Sequence, residues 1–482
     1  MNQLDILLVD PPLTYLEDQI TTAGNMRRSP NYENRAFNSG LLSIASYLIG
    51  NEYSVNVLNF LHEDDVELKI QKTIEKYETI GVVAVSCNYA YAYESAKNIV
   101  NRLKMHYPNC IFVMGGMHVS EIPHYVLEEC PCVDFVIRGE GEYAVEKIID
   151  LSCGKCDLSD IGNLVFRKED LLRYGEEFNL SEYQMWEYVE FLDSKKQLQR
   201  ISNTIICSRF FEPLIELDNL PNIKYDLYDQ YKSYSPYIEE SRGCYGECSF
   251  CVSSKQQCYR QKSSKRFLEE LDYVVSVFGT SQTINFLAAN FGVNVQNTID
   301  LCIGIANKPY KIVWDVEFRV DLAWKYYLDY MYQAGCRFFT VGIESCDEEV
   351  LKIMKKTKSP FKYLDNVNDF LSEMDKYADV FVRINLMFYI GESHLSVLNN
   401  LRFLIKNYSS IHSVHYSPVI LFPGTWLWNN FEEMSDKYGC SIIQKSQYDS
   451  MHIYPLNPSN VFSYEEACVF TRLMEKLIKS KG

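Results

Sequence analysis

Short apolar runs alternate with stretches of helical spacing in two long parts of this chain, and that alternation leaves few architectures open. In residues 1–151 the runs fall at 4–9, 55–60, 80–86, 111–114 and 135–137, with helical spacing at 41–49, 67–77, 92–105 and 142–151. A parallel strand neighbour is reached only through a crossover, which a helix supplies, so this part is expected to be an α/β domain with an open, doubly wound sheet. A second succession fills 236–430, with strands expected at 283–288, 312–318, 338–343, 380–389 and 414–421 and helices at 266–278, 295–306 and 322–334. Its expected form is a partial TIM-like barrel. Between them, 152–235 loses the pattern: 161–168 and 200–207 are expected as small strands around a charged, aromatic 169–199, and the segment is assigned as a connector. Residues 431–482 form a C-terminal extension ending in an amphipathic helix at 464–479.

In doubly wound sheets ligands bind beyond the carboxyl ends of the strands, where Asp10, Ser86, Asn88, Gly115 and Gly116 fall. The paired glycines would let a flat ligand approach the backbone closely. A chain of 482 residues is long enough for two or three domains. It has no run of about 18 or more apolar residues and no basic-then-apolar leader, so it is expected to be soluble, unprocessed and cytoplasmic, with no membrane partner. Sixteen cysteines without a secretion signal point to reduced thiols. A formal charge of −17 argues against nucleic acid as a partner, since displacing counterions needs a basic footprint.

Residues 239–252 read Glu-Glu-Ser-Arg-Gly-Cys-Tyr-Gly-Glu-Cys-Ser-Phe-Cys-Val. Cys244, Cys248 and Cys251 stand four and then three residues apart, with Gly243 and Gly246 easing a tight backbone path. With 16 Cys in 482 residues, a triple at this spacing arises by chance roughly 0.02 times. Three thiolates so placed can hold an iron–sulfur cube and leave one iron open, which marks a reactive centre rather than a structural one. A zinc site is the competing reading; it calls for a fourth Cys or His, and Cys258 is the nearest candidate. Cys153 and Cys156 form a second close pair, most simply packing or surface thiols.

The cysteine loop resembles that of the radical S-adenosylmethionine (radical SAM) superfamily, with Phe250 at the aromatic position beside the last Cys and Tyr245 where relatives often carry Pro. The resemblance implies one [4Fe-4S] cluster on Cys244, Cys248 and Cys251, whose open iron chelates the amino and carboxylate groups of S-adenosylmethionine, with Phe250 near the adenine. It implies a partial (β/α)6 barrel for 236–430. Matching blocks continue through 319–321, 334–345, 350–356, Gly391-Glu392 and 423–425, and they nominate Arg319, Glu344, Ser345, Arg383 and Asn385 to bind S-adenosylmethionine. Relatives often place an acidic pair after the second strand, where this chain has Ala288-Ala289-Asn290, so the group holding the ammonium is open. Only Cys440 and Cys468 lie in the extension, too few for a second cluster.

Residues 1–151 resemble the cobalamin-binding domain that precedes many radical SAM cores, through Asp-Pro-Pro at 10–12, the stretch 40–48, Met-Gly-Gly-Met-His at 114–118 and Arg-Gly-Glu-Gly-Glu at 138–142. The resemblance assigns Asp10, Ser86, Asn88, Gly115, Gly116 and His118 to cobalamin. Residues 11–18 hold no His, so the corrin would be bound without a lower imidazole; His118 is the nearest alternative ligand, though a loop residue is the simpler reading. Residues 217–221 and the tyrosines Tyr225, Tyr228, Tyr231, Tyr234 and Tyr237 resemble the connector that enters the core, more simply packed than pocket-lining.

Together these resemblances imply an enzyme, a methyltransferase acting on an unactivated carbon. One S-adenosylmethionine would methylate cobalamin, a second would be cleaved to a 5′-deoxyadenosyl radical that takes hydrogen from the substrate, and the substrate carbon would then accept the methyl group. The alternative is cyclisation, ring contraction or oxidation with the same cofactors. A remoter one is a non-enzymatic cobalamin sensor. The implied partners are a small-molecule or peptide substrate and a low-potential electron donor of flavodoxin or ferredoxin type.

Overall fold

The computed structural model describes residues 2–13, 36–60, 66–174, 183–185, 205–208, 214–255, 259–443 and 446–479. Most of the loop after Asp10, much of 169–199, and Cys258 lie outside them. The chain divides into two compact units, one built from the first strand with Phe37–Ile215 and Leu220–Tyr231, the other from Glu216–Asn219 and Lys232–Gly482.

In the first unit, β1 (Gln3–Asp10), β2 (Val55–Asn59), β3 (Thr79–Ser86), β4 (Ile111–Gly115) and β5 (Phe135–Ile137) alternate with α1 (Ser39–Gly50), α2 (Val66–Lys76), α3 (Tyr93–His106), α4 (Pro123–Glu129) and α5 (Glu142–Ser152). The strands lie in the order β2-β1-β3-β4-β5, every pair parallel. Ile6, Leu7, Leu8 and Val9 are all fully buried, as a strand covered by helices on both faces requires. Asn38 caps α1, its side chain accepting from the Leu41 N–H at 3.1 Å, and the buried Ser43 hydroxyl donates to Glu142 at 2.7 Å, joining α1 to α5.

The segment read as a connector does more than connect. β6 (Leu164–Arg167), β7 (Tyr183–Met185) and β8 (Ile205–Ser208) extend the same sheet in the order β5-β6-β8-β7, antiparallel throughout. Leu164, Val165, Phe166, Ile205 and Ile206 are buried there. An open β5 edge would leave a row of backbone groups unpaired, and these strands cover it. β6 and β8 fall on the small strands expected at 161–168 and 200–207; that they join the first sheet was not expected.

In the second unit, β9 (Tyr237–Glu239), β12 (Ile284–Leu287), β13 (Trp314–Phe318), β14 (Cys336–Glu344), β15 (Phe381–Phe388) and β16 (Ser413–Pro418) pair in parallel in that order. A short antiparallel ribbon, β10 (Ser241–Arg242) with β11 (Arg260–Gln261), brackets the cysteine loop. α6 (Ser264–Phe278), α7 (Val295–Ala306), α8 (Leu328–Gln333), α9 (Glu348–Ile353), α10 (Pro360–Met374) and α11 (His394–Lys406) lie between the strands. The succession is that of a partial (β/α)6 barrel. The helix expected over 322–334 is split into a turn at Trp324–Tyr326 and α8, with the break at the buried Tyr327.

Outward strand positions form the core, Phe286 stacking on Trp314 at 4.3 Å, while the Trp314 indole donates to the Ala334 carbonyl at 2.9 Å. At Gly335, φ is +93° and a Cβ would stand 2.1 Å from the Ile312 carbonyl oxygen, so only glycine turns the chain from α8 into β14. In the C-terminal extension, β17 (Ile420–Leu421) and β18 (Ser441–Ile442) flank β19 (Tyr454–Asn457), and α12 (Tyr464–Lys479) packs on the edge strand β16.

Candidate functional site

The carboxyl ends of β1, β3 and β4 carry a linked set of polar side chains. Asn38 donates to Asp10 at 2.8 Å and to the Ser86 hydroxyl at 3.0 Å, Asn88 donates to the Asn38 oxygen at 3.2 Å, and the Met117 N–H donates to Asn88 at 3.2 Å. Tyr228 donates to the other Asp10 oxygen at 2.7 Å. Burial pushes the Asp10 carboxyl up to about 6 against the pull of the Asn38 and Tyr228 hydrogen bonds. The strand ends therefore bring Asp10, Ser86, Asn88, Gly115 and Gly116 together, as the doubly wound topology dictates. Asn38 and Tyr228 complete the network and were not assigned to it from sequence; Asn38, directly before the α1 apolar run, carried the signal of a helix cap.

The two glycines differ. Gly116 has φ +115°, and a Cβ there would stand 2.7 Å from the Asn88 oxygen and from the Cys87 carbonyl, so packing against the β3 loop demands it. A Cβ on Gly115 would meet nothing closer than Ile137 at 3.8 Å. In the loops that follow β3 and β4 the side chains of Tyr89 and Met117 are exposed. His118 is buried and packs edge-on against Tyr93 at 5.8 Å.

The second set begins in the cysteine loop. The Gly246 N–H donates to the Cys244 sulfur at 3.3 Å, and Arg319 donates to the Cys248 sulfur at 3.3 Å. A Cβ on Gly246 would lie 3.3 Å from Cys244 Sγ and from Arg319 Nη1 and 3.7 Å from Cys248 Sγ, so a side chain there would crowd the sulfurs and the guanidinium. Soft thiolates with N–H donors aimed at them are the ligand set for iron and sulfide. Among the described residues no three His, Cys, Asp or Glu side chains converge on one point as they would around a single metal ion; a cube takes its thiolates on separate corners.

The loop is pinned at several points. The fully buried Ser249 donates its N–H to the Met354 carbonyl at 2.8 Å and shares a hydrogen bond with the Tyr389 hydroxyl at 2.8 Å, while Phe250 meets the Tyr389 ring at 5.9 Å. At its base the Glu240 N–H donates to the Leu287 carbonyl at 2.7 Å and the Glu240 side chain accepts from Gln261, with burial pushing its carboxyl up to about 7.

Along the inner face of the barrel, Asp315, Glu317 and Arg319 alternate with the buried Trp314, Val316 and Phe318, and Arg383 and Asn385 alternate with Val382, Ile384 and Leu386. Burial, then Glu317, pushes Asp315 up to about 7, with Arg383 opposing. Desolvation raises Glu317 against Arg383 although the residue keeps solvent-accessible surface, and burial followed by Arg383 lowers His415. Asp315, Glu317 and His415 were missed from sequence, although the two-residue period of β13 marks the first two.

Glu344 ends β14 at a break in the β14–β15 register with φ +70°, a conformation that a non-glycine residue adopts at a cost and that clusters at functional sites. It pairs with the buried Lys356 at 3.1 Å; burial opposes that ammonium, yet Tyr363 and Glu344 raise its pKa. Arg319, named for S-adenosylmethionine, spends its guanidinium on Asp321 at 2.9 and 2.7 Å, the Lys356 carbonyl at 2.6 Å and Cys248. Ser345 is fully buried, its hydroxyl accepting the Asp347 N–H at 3.2 Å.

Residues 31–149 match the family model of the B12 binding domain, and residues 238–404 match that of the radical SAM superfamily. An uncharacterised methyltransferase of Pyrococcus horikoshii is 28% identical over 81% of this chain and 77% of its own length. The anaerobic magnesium-protoporphyrin IX monomethyl ester cyclase of a Synechocystis strain is 26% identical over 54% of this chain, which spans about half (48%) of that relative. The radical S-adenosylmethionine methyltransferase TsrM of Kitasatospora setae, solved with cobalamin and a [4Fe-4S] cluster, shares the fold with a TM-score of 0.69 at 16% identity, over 92% of this chain and 78% of that one. In this one chain, then, a B12 binding domain precedes a radical SAM domain, each built on a parallel sheet.

Proposed function

We propose that the protein is a cobalamin-dependent radical SAM methyltransferase that methylates an unactivated carbon. The observation that carries this reading is the pairing, in one chain, of a B12 binding domain with a three-thiol loop at the mouth of a parallel barrel. When bound, the cluster supplies the electron that cleaves S-adenosylmethionine, and cobalamin supplies the methyl group.

The chain's own residues then have distinct tasks. Cys244, Cys248 and Cys251 hold the cluster and leave one iron open. Phe250, Glu344, Arg383 and Asn385 are assigned to S-adenosylmethionine, Phe250 through its ring, Glu344 from the end of β14, and Arg383 and Asn385 from within β15. Ser345 shapes the turn after β14 rather than meeting a ligand. Asp10, Ser86, Asn88, Gly115 and Gly116, with Asn38 and Tyr228 behind them, form the floor for cobalamin, and His118 belongs to the packing of the loop. The Asp315 carboxyl, pushed up to about 7, gives the lumen a group that can hold or move a proton near neutral pH.

Radical SAM enzymes need an electron donor; here we infer a low-potential donor of flavodoxin or ferredoxin type, working in the cytoplasm on a small-molecule or peptide substrate. Among the described residues no helix is long and apolar enough to cross a membrane. Cyclisation, ring contraction or oxidation without methyl transfer is the second reading, favoured by the likeness to the cyclase. Anaerobically reconstituted protein, given S-adenosylmethionine, hydroxocobalamin and a strong reductant, decides between them. Reductant-dependent 5′-deoxyadenosine together with cobalamin-dependent S-adenosylhomocysteine supports methyl transfer; 5′-deoxyadenosine alone overturns it in favour of the second reading.

A further inference from the structure

The guanidinium of Arg319 is committed inside the protein. Its Nε and Nη2 grip the Asp321 carboxylate at 2.9 and 2.7 Å, Nη2 also donates to the Lys356 carbonyl at 2.6 Å, and Nη1 is left aimed at the Cys248 sulfur at 3.3 Å. A bidentate carboxylate is the grip that fixes a guanidinium in plane, so the direction of the remaining N–H is set before any ligand arrives. The side chain is largely buried, where a charge acts more strongly on its neighbours than at the surface. Lys356 carries its own partner, Glu344, and among the described residues Asp321 is the carboxylate that pairs with Arg319.

We propose that Arg319 is a positioning residue for the cluster rather than a ligand of S-adenosylmethionine: it donates to the Cys248 thiolate and raises the reduction potential of the [4Fe-4S] centre. The inference rests on the cluster reading above. Reduction adds one electron, taken from the external low-potential donor, and spreads negative charge onto the cluster and its sulfurs. A fixed N–H and a positive charge beside one ligating sulfur stabilise that reduced state more than the oxidised one. Asp321 keeps the guanidinium from turning away, and Gly246 keeps the backbone from filling the space between the sulfurs.

The test is a redox titration of the reconstituted full-length protein, followed by electron paramagnetic resonance of the reduced cluster, in wild type, Arg319→Gln and Arg319→Lys, with Arg337→Gln as a remote control. Arg337 pairs with the exposed Asp379 and the Tyr332 carbonyl, away from the cysteine loop. The expected result is a midpoint displaced to lower potential in R319Q, a smaller displacement in R319K, and none in R337Q. The KM for S-adenosylmethionine in the cleavage assay should stay within about twofold of wild type while kcat falls, since the residue acts through the sulfur. An unchanged midpoint overturns the proposal, as does a tenfold or greater rise in KM at constant potential, which returns Arg319 to substrate binding. If R319Q holds no iron, R319K decides on the same criterion. A wild-type protein without four irons would instead defeat the cluster reading itself.

Discussion

The two units treat polar groups at their strand ends in different ways. In the first, the polar set is confined to the strand tips and satisfies itself: Asp10 accepts from both Asn38 and Tyr228, and its carboxyl rises only to about 6. In the second, polar residues run along the inner face of whole strands, and in the loop that follows β15 a buried carboxyl with less help, Glu392, is pushed up to about 8. Glu392 accepts from the Ser396 hydroxyl through one oxygen, and its other oxygen has no hydrogen-bond partner. The difference lies in what surrounds each site. A doubly wound sheet is covered on both faces, so only its ends are open to a ligand; a barrel interior is enclosed by strands and open to chemistry along its length.

Replacing any of Cys244, Cys248 or Cys251 by Ala separates the units most sharply. Iron should fall to near zero and 5′-deoxyadenosine formation by at least about 100-fold, because the cube loses one of three ligands, while cobalt binding at the other unit should be unchanged. Iron and cobalt analysis on the same sample checks both halves; cobalt lost along with iron would show that the two sites are not independent.

Glu392 offers the next effect. Its folded pKa lies above the ordinary value of 4.5, so the protonated form is the one the fold favours. Its contribution is full below about pH 4.5 and is lost as the pH rises to about 8, on the order of 5 kcal/mol at about 1.4 kcal/mol per unit. Glu392→Gln should therefore flatten the fall in melting temperature between pH 5 and 9 and leave the variant the more stable at pH 9. Asp10→Asn should alter that profile over a narrower window, from about 4 to about 6. Equal pH profiles for wild type and E392Q would contradict the assignment.

The smallest of the three is Gly116→Ala. The left-handed backbone and the contact with Asn88 and the Cys87 carbonyl should together cost about 2–4 kcal/mol. Cobalamin affinity should fall with iron content intact, measured by equilibrium dialysis and iron analysis. Gly115→Ala, where the protein leaves room, should keep the stability and report on the ligand alone.

Much of this was legible in the chain. Strand and helix alternation follows from local periodicity, and β5 (Phe135–Ile137) and α7 (Val295–Ala306) fall where the pattern places them. The thiol loop was legible because its ligands are close in sequence. The sequence also marked the strand-end residues Asp10, Ser86 and Asn88, since topology delivers the ends of parallel strands to one edge. It did not reveal that 152–235 would complete the first sheet. That pairing depends on which edge is left open, and β6 and β8 carry too few residues to announce it.

What the tertiary structure alone decided is who meets whom. Tyr228 reaches Asp10 across 218 positions and Arg319 reaches Cys248 across 71, and no spacing rule links residues so far apart. A sequence can place a polar group at the end of a strand because that position is set by local hydrogen bonding and burial. Whether the group turns to a ligand, to a neighbour or to a metal-binding sulfur depends on the charges that other strands bring beside it. For Arg319, Asp321 and the Lys356 carbonyl decide it, and they direct its free N–H to sulfur.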